Sequence, residues 1–119
     1  MDFGNFSVSL AVKNVSVSQD FYEKLGFKVI DGGQTSSDYP DKEGERWRIL
    51  EKDGVHIGLF EGMFKENIMT FNPPDVRAIQ KDLQSQGIKL TKEANLETSG
   101  AEFITLADPD GNQIMFDQW

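Results

Sequence analysis

Apolar residues recur at two different periods in the first part of the chain. Over residues 6–13 the period is two, which predicts a half-buried strand with Val8, Leu10 and Val12 on its inner side. The period then becomes that of a helix, capped by Asn14 or Ser16 and ended by Gly26, with an inner stripe of Val17, Phe21, Tyr22 and Leu25. The chain therefore opens with a strand followed by an amphipathic helix.

Strand signals dominate the remainder of this half. Residues 27–30 are predicted to form a second strand, and residues 31–44 form a polar loop that contains several glycines. Two further strands, 46–51 and 55–61, meet at Asp53-Gly54, a dipeptide that favours a tight hairpin. The first half thus predicts the order βαβββ.

The second half predicts the same order. A strand over 67–72 stops at Pro73-Pro74, and Asp75 caps a helix that Gly87 ends, with Val76, Ile79 and Leu83 as its inner residues. A strand over 88–90, a polar loop over 92–100 and a hairpin of strands 102–107 and 112–118 follow.

Matching landmarks in the two halves lie at nearly constant separations, which indicates an internal duplication. The helix-ending glycines, Gly26 and Gly87, are 61 residues apart, and the hairpin glycines, Gly54 and Gly111, are 57 apart. We therefore predict an α+β fold of two tandem βαβββ modules, residues 6–61 and 67–118, within one domain over 1–119.

Composition and charge restrict the possible functions. The chain carries a formal net charge of −8 and no cysteine, which excludes disulfides, thiolate metal sites and cysteine nucleophiles. The acidic balance opposes binding to nucleic acid and to anionic membranes, and no stretch has the length of a membrane span. Because no signal-peptide pattern is present, we expect a cytoplasmic protein.

Three segments together resemble a known superfamily. They are Leu10–Val15, Phe21–Phe27 and the turn-containing stretch Asp108–Ile114. The combination resembles the vicinal oxygen chelate superfamily, which includes glyoxalase I, bleomycin-resistance proteins, fosfomycin-resistance enzymes and extradiol dioxygenases. The resemblance implies that the two modules form a U-shaped mixed sheet around a cavity, with the helices outside. We also expect a homodimer, since two short modules leave sheet edges and a concave face to cover.

The resemblance also implies where a metal would bind. Enzymes of this superfamily hold a divalent metal through histidine, glutamate or glutamine at four strand positions, which here are Ser7, Gly58, Asn67 and Met115. These residue types do not make a site for zinc, magnesium or manganese. We therefore expect no metal, no cofactor and no catalytic residue, as in the metal-free binding branch typified by bleomycin-resistance proteins.

Strand parity predicts which side chains line the cavity. Aligning Ile49 with Leu106 through the repeat puts Trp47 and Ile49 on the helix side of their strand. The predicted ligand-binding residues are then Arg46, Arg48, His56, Phe60, Asn67, Met69, Phe71, Phe103, Gln113 and Met115. Aromatic and methionine walls with a few polar groups are typical of a site for a small, flat organic molecule.

Each of these assignments has a structural alternative. His56 also suits an exposed strand, while Met69, Phe71 and Met115 also suit a filled core. Arg46 and Arg48 equally suit ion pairs on a solvated face.

The sequence favours a metal-free protein that sequesters a small organic molecule. The alternatives are a divergent metal-dependent lyase, isomerase or dioxygenase of the same superfamily, and a non-catalytic interaction module. A role in antibiotic resistance is implied by the resemblance alone. Acid–base chemistry by Glu61 or Asp117 with His56 is chemically reasonable, although nothing in their spacing selects it.

Overall fold

The computed structural model describes residues 1–119 and contains seven strands and two helices, which confirms the α+β class. The elements are β1 (Asn5–Val12), α1 (Val15–Lys24), β2 (Lys28–Gly32), β3 (Arg46–Lys52), β4 (Val55–Glu61), β5 (Ile68–Asn72), α2 (Val76–Ser85), β6 (Glu102–Ala107) and β7 (Gln113–Gln118). They form two compact units. The first unit is Ser7–Asn67, and the second unit is Met1–Phe6 together with Ile68–Trp119. Neither helix is long and apolar enough to cross a membrane.

In the first unit, β4 pairs with β1 in parallel and with β3 in antiparallel orientation, and β3 also pairs with β2. The helix α1 covers one face of these strands. Its core consists of Val15, Leu50, Ile57 and Leu59, which are all buried. The order βαβββ predicted for this half is therefore confirmed.

The inner stripe predicted for α1 is largely wrong. Val17, Phe21 and Leu25 are exposed, at 68%, 57% and 53% of their surface, whereas Val15 is buried and Tyr22 packs against the core. The helix carries two apolar stripes, and spacing alone cannot tell which one faces the sheet. The start of the helix is tied to the strands, because the Val15 N–H donates a 2.9 Å hydrogen bond to the carboxylate of Glu61 at the end of β4.

In the second unit, β7 lies between β5, to which it is parallel, and β6, to which it is antiparallel. The core under α2 consists of Val76, Ile79, Ala94, Ile104, Leu106 and Phe116. The N-terminal segment joins this unit, since the ring of Phe3 lies 5.2 Å from Phe71 and 4.7 Å from Phe116 between centroids.

The strand predicted over residues 88–90 does not form. The backbone reaches β6 only through a bridge between Lys92 and Thr105, so the second unit has one strand fewer than the first. The segment before β6 is held by side chains instead. Gln80, only 1% exposed, accepts a 2.6 Å hydrogen bond from the Ala94 N–H and donates to the Ala94 carbonyl at 3.4 Å.

Both helices begin at the same kind of junction. Asn14 and Asp75 are N-caps whose side chains accept from backbone N–H groups in the first turn. The first helical N–H of each helix is bound by the last strand of its own unit, Val15 to Glu61 and Val76 to Gln118, both at 2.9 Å. The hydrogen bond from Val15, with Arg46 as a further partner, holds the pKa of Glu61 below its ordinary value. Glu61 therefore caps the helix, and its lowered pKa does not suit the acid–base role considered from the sequence.

Candidate functional site

In each unit the strands have one face under the helix and one face turned away from it, here called the helix-free face. Residues that lie opposite each other on paired strands have their side chains on the same face, so the strand register shows which face each side chain occupies. In the first unit Leu50 pairs with Ile57, and both belong to the core under α1. The residues of β3 and β4 on the helix-free face are therefore Trp47, Ile49, Glu51, His56, Gly58 and Phe60.

Arg46 and Arg48 lie on the helix side, so the prediction that they share a face with Phe60 is wrong. They pair across the strands with Glu61 and Leu59. Arg46 donates to the Glu61 carboxylate at 2.9 Å, and Arg48 forms a 2.8 Å ion pair with Asp41. Arg48 also lines an open groove of about 720 Å³ on the helix side, beside Gln19 and Glu23 of α1.

The error has a definite origin in the turns. The β3–β4 hairpin closes at Lys52 and Val55, whereas the β6–β7 hairpin closes at Ala107 and Gln113. The longer second turn changes the offset of the repeat by one residue between the two arms. Leu106 is therefore equivalent to Leu50 and not to Ile49, and a one-residue slip moves every side chain of a strand to the other face.

A separate one-residue slip changes the assignment of β5. Met69 and Phe71 pair with Ile114 and Phe116, so they lie on the helix side, and the prediction that they face the cavity is wrong. The rings of Phe71 and Phe116 stack with centroids 5.2 Å apart. The helix-free residues of β5 are Ile68 and Thr70. Asn67, also predicted to bind the ligand, accepts a hydrogen bond from the Ala11 N–H through its side-chain oxygen.

The helix-free face of the first unit carries an aromatic stack. The rings of Trp47 and Phe60 are nearly parallel, at 4°, with centroids 6.3 Å apart. The ring of Phe64 also contacts Phe60, with centroids 5.1 Å apart. Trp47 was expected on the opposite face, so sequence reasoning missed half of this stack. His56, predicted as a polar contact, lies on the same face opposite Glu51.

The helix-free face of the second unit is here called the Asp117 face. It contains three predicted ligand-binding residues, Phe103, Gln113 and Met115, together with Thr105 and Asp117. Phe103 lies directly opposite Asp117, and Thr105 lies opposite Met115. The structure therefore brings an aromatic ring, a thioether and a carboxylate onto one face of a two-stranded ladder, as strand parity predicts for these five positions.

Asp117 is the one carboxylate on this face. Burial raises its pKa from 3.8 to about 6, and the positive charge of Lys92 opposes this shift. Lys92 is already engaged, because its ammonium bonds the Glu102 carboxylate at 2.7 Å and the Phe103 carbonyl at 2.8 Å. The same ammonium lies 3.8 Å from the centroid of the Phe103 ring. Asp117 therefore has no ion-pair partner of its own, and Lys92 offsets its charge only in part.

Lys92 could not have been found from the sequence pattern, since it lies in a segment read as a polar loop. It reaches the Asp117 face because its backbone bridges Thr105. Glu102 keeps its partner charged, since hydrogen bonds from the Asn95 N–H, Lys92 and the Phe103 N–H lower the pKa of Glu102 to about 2.

The positions that the superfamily uses for a metal do not fit one here. Gly58 has no side chain, and a Cβ atom placed on it would lie 2.4 Å from Cε2 of Phe60. The ring of Phe60 thus fills the space into which a metal-binding side chain at position 58 would project. Met115 presents a neutral thioether and Ser7 a neutral hydroxyl. The strand register makes Ile68, and not Asn67, the residue equivalent to Ser7. The side chain of Ile68 has no donor atom for a metal.

The remaining titratable side chains do not compensate for this. No three histidine, aspartate or glutamate side chains lie close enough together to hold a metal ion. The only histidine of the chain, His56, lies opposite Glu51. No catalytic step through a metal is derived from these residues.

Comparison with known proteins identifies the family of the chain and relatives of its fold. Residues 6–116 match the model of the Glyoxalase/Bleomycin resistance protein/Dioxygenase superfamily. A hypothetical protein from Bacillus halodurans C-125 superposes with a TM-score of 0.71 at 15% identity, covering 95% of this chain and 91% of that one. A superfamily member from Vibrio splendidus 12B01 gives 0.65 at 20% identity, covering 97% and 98%.

A methylmalonyl-CoA epimerase is also similar, with a TM-score of 0.61 at 12% identity, covering 100% of this chain and 95% of that one. At these identities the likeness shows the fold alone. Comparison with curated protein sequences gave no significant match.

Proposed function

Because the chain belongs to the Glyoxalase/Bleomycin resistance protein/Dioxygenase superfamily, we propose that it is a metal-free member that binds and sequesters a small organic molecule. One observation carries the proposal. The ring of Phe60 occupies the space above Gly58, where a metal-dependent relative would need a donor side chain. A strand position filled by a stacked aromatic ring is suited to packing and not to coordination.

The ligand we propose is aromatic, and its binding surface is the Asp117 face. Phe103 is 39% exposed, so part of its ring is available for stacking. Met115 adds a polarisable thioether, which adapts its shape to flat ligands. Gln113 and Asp117 supply the few polar groups that fix the orientation of a bound molecule.

A thermal-shift screen of aromatic compounds, run with the metal-free protein, tests the proposal. We expect at least one compound class to raise the melting temperature, and the substitutions Met115→Glu and Phe103→Ala to weaken its binding at least about tenfold. The matched control is Phe21→Ala, which removes a more exposed ring, 57% against 39% for Phe103, from the outer side of α1 and should leave the affinity unchanged.

Two results would contradict sequestration. The first is elemental analysis that finds about one divalent metal per chain, combined with turnover of a thiohemiacetal or catechol substrate, which would establish a divergent lyase or dioxygenase. The second is a complete screen in which no compound binds, which would favour the non-catalytic interaction module.

The homodimer expected from the sequence remains a proposal. The exposed stripe of Val17, Phe21 and Leu25 on α1 provides apolar surface that an interface would cover. Light scattering at micromolar concentration tests it, and a mass of a single chain at every concentration would refute it.

A further inference from the structure

The Asp117 face carries an inference about the class of ligand, and this inference depends on the binding function proposed above. Asp117 lies two residues after Met115 and directly opposite Phe103. Its backbone is fixed, because the Asn72 side chain donates to the Asp117 carbonyl at 3.0 Å. The carboxylate is thus presented from a rigid strand beside an aromatic ring and a thioether.

The carboxylate of Asp117 forms no ion pair and accepts no hydrogen bond within the chain. The other charged groups near it are Lys92 and Glu102, and they satisfy each other at 2.7 Å. On β7 the neighbouring side chains of this face are neutral, as are Thr105 on β6 and Ile68 on β5. Every other group of this face is therefore neutral or already paired.

A partly buried carboxylate without donors is costly, and the cost is relieved when a donor with a positive charge arrives. The Lys92 ammonium lies 3.8 Å from the centroid of the Phe103 ring and occupies one part of it, while the 39% exposure of Phe103 leaves ring surface for the ligand. The net charge of −8 adds a long-range attraction for cations.

We propose that the ligand is an aromatic molecule with a cationic nitrogen, an amidine, guanidine or protonated amine, and that Asp117 receives that nitrogen while Phe103 and Met115 contact the ring. The carboxylate acts as the counter-ion and accepts hydrogen bonds from the N–H groups of the ligand. Lys92, held by Glu102, remains at the edge of the site and does not compete for the carboxylate.

Three probes of nearly equal shape test the proposal: benzamidinium, benzamide and benzoate, which carry a positive, neutral and negative polar group on the same ring. Binding is followed by NMR titration, with chemical shifts of Met115 and Phe103 as reporters of the site. We expect benzamidinium to bind at least about tenfold more tightly than benzamide, since a charge-assisted hydrogen bond is stronger than one from a neutral donor. Benzoate should bind most weakly.

The substitution Asp117→Asn should bring benzamidinium and benzamide within about twofold of each other. The matched control is Asp110→Asn, which removes the same charge from an exposed turn residue and should leave the preference intact. The wild-type preference should also decrease below pH 6, because the pKa of Asp117 is about 6 and its carboxyl becomes neutral there, while the amidinium stays charged.

The outcomes separate this inference from the function on which it rests. Equal affinity for benzamidinium and benzamide, or a preference that survives in Asp117→Asn, overturns the cationic ligand and leaves sequestration of another aromatic class intact. If none of the three probes shifts Met115 or Phe103, the cationic ligand is overturned as well, and the wider thermal-shift screen then decides whether any binding function remains.

Discussion

The charge on Asp117 should lower the stability of the unliganded protein, and Asp117→Asn should recover it. The pKa of Asp117 rises from 3.8 to about 6 on folding, because burial disfavours the carboxylate. Each pKa unit is about 1.4 kcal/mol, so the shift corresponds to a loss of roughly 3 kcal/mol in the free energy of unfolding when the carboxyl is ionised. The side chain keeps partial contact with solvent, and screening reduces the expected gain of the asparagine variant to roughly 1–2 kcal/mol at neutral pH.

The sign of the pH dependence follows from the direction of the shift. Below pH 3.8 the carboxyl is protonated in both the folded and the unfolded state, so its contribution vanishes. As pH rises from 3.8 to about 6, the unfolded state loses its proton first, and the folded state is progressively destabilised. Above that range the penalty is complete, and the gain from Asp117→Asn should be largest.

Urea denaturation at pH 4.5 and pH 7.5 measures this difference. We expect the gain in free energy of unfolding at pH 4.5 to be about a third of that at pH 7.5, since most of the folded-state carboxyl is still protonated at the lower pH. Asp110→Asn, on an exposed turn, controls for the change in net charge. A gain that is equal at both pH values, or a loss at pH 7.5, would show that the carboxylate is compensated in solution and would refute the reasoning.

Three further substitutions test other parts of the structure. Gly58→Ala should lower the free energy of unfolding by roughly 1–2 kcal/mol, because its Cβ would displace the ring of Phe60. Calorimetry should find a smaller loss when the same substitution is made in the Phe60→Ala background. Equal losses would mean that the ring is not the obstacle. Gln80→Leu should cost roughly 2–4 kcal/mol in urea, since it strips both buried partners from the backbone of Ala94, and a neutral effect would contradict that. Asn14→Ala should cost about 1 kcal/mol through loss of the N-cap, measured by the midpoint of thermal unfolding, and an unchanged midpoint would count against the cap.

Local patterns predicted the fold well because they are read within a few residues. Asn14, Gly26, Asp75 and Gly87 mark the helix ends from sequence, and the structure uses them in this way. The hairpin at Asp53-Gly54 was equally direct, because Asp53 and Gly54 both adopt positive φ there. These are properties of short segments, and tertiary packing does not change them.

The side chains of the site were harder, because parity requires an exact residue count across turns. Met115 and Phe103 were placed on the correct face, since each alternates with apolar core residues of its own strand. Arg48 and Phe71 were placed on the wrong face by a one-residue difference in turn length and in strand register. The charge environment of Asp117 depends on Lys92, which reaches it through a single bridge that no periodic pattern encodes.

The division of β1 between the units has a consequence for any attempt to separate the two halves of the chain. Residues 1–6 belong to the compact unit built mainly from residues 68–119, so a cut in the segment between β4 and β5 severs that unit from its own first residues. A fragment that starts at residue 67 would expose the faces of Phe71 and Phe116 that Phe3 covers. The C-terminal fragment therefore lacks residues 1–6, and the N-terminal fragment carries them without the unit to which they belong. The two fragments should recover their fold when mixed, and neither should fold as an independent domain.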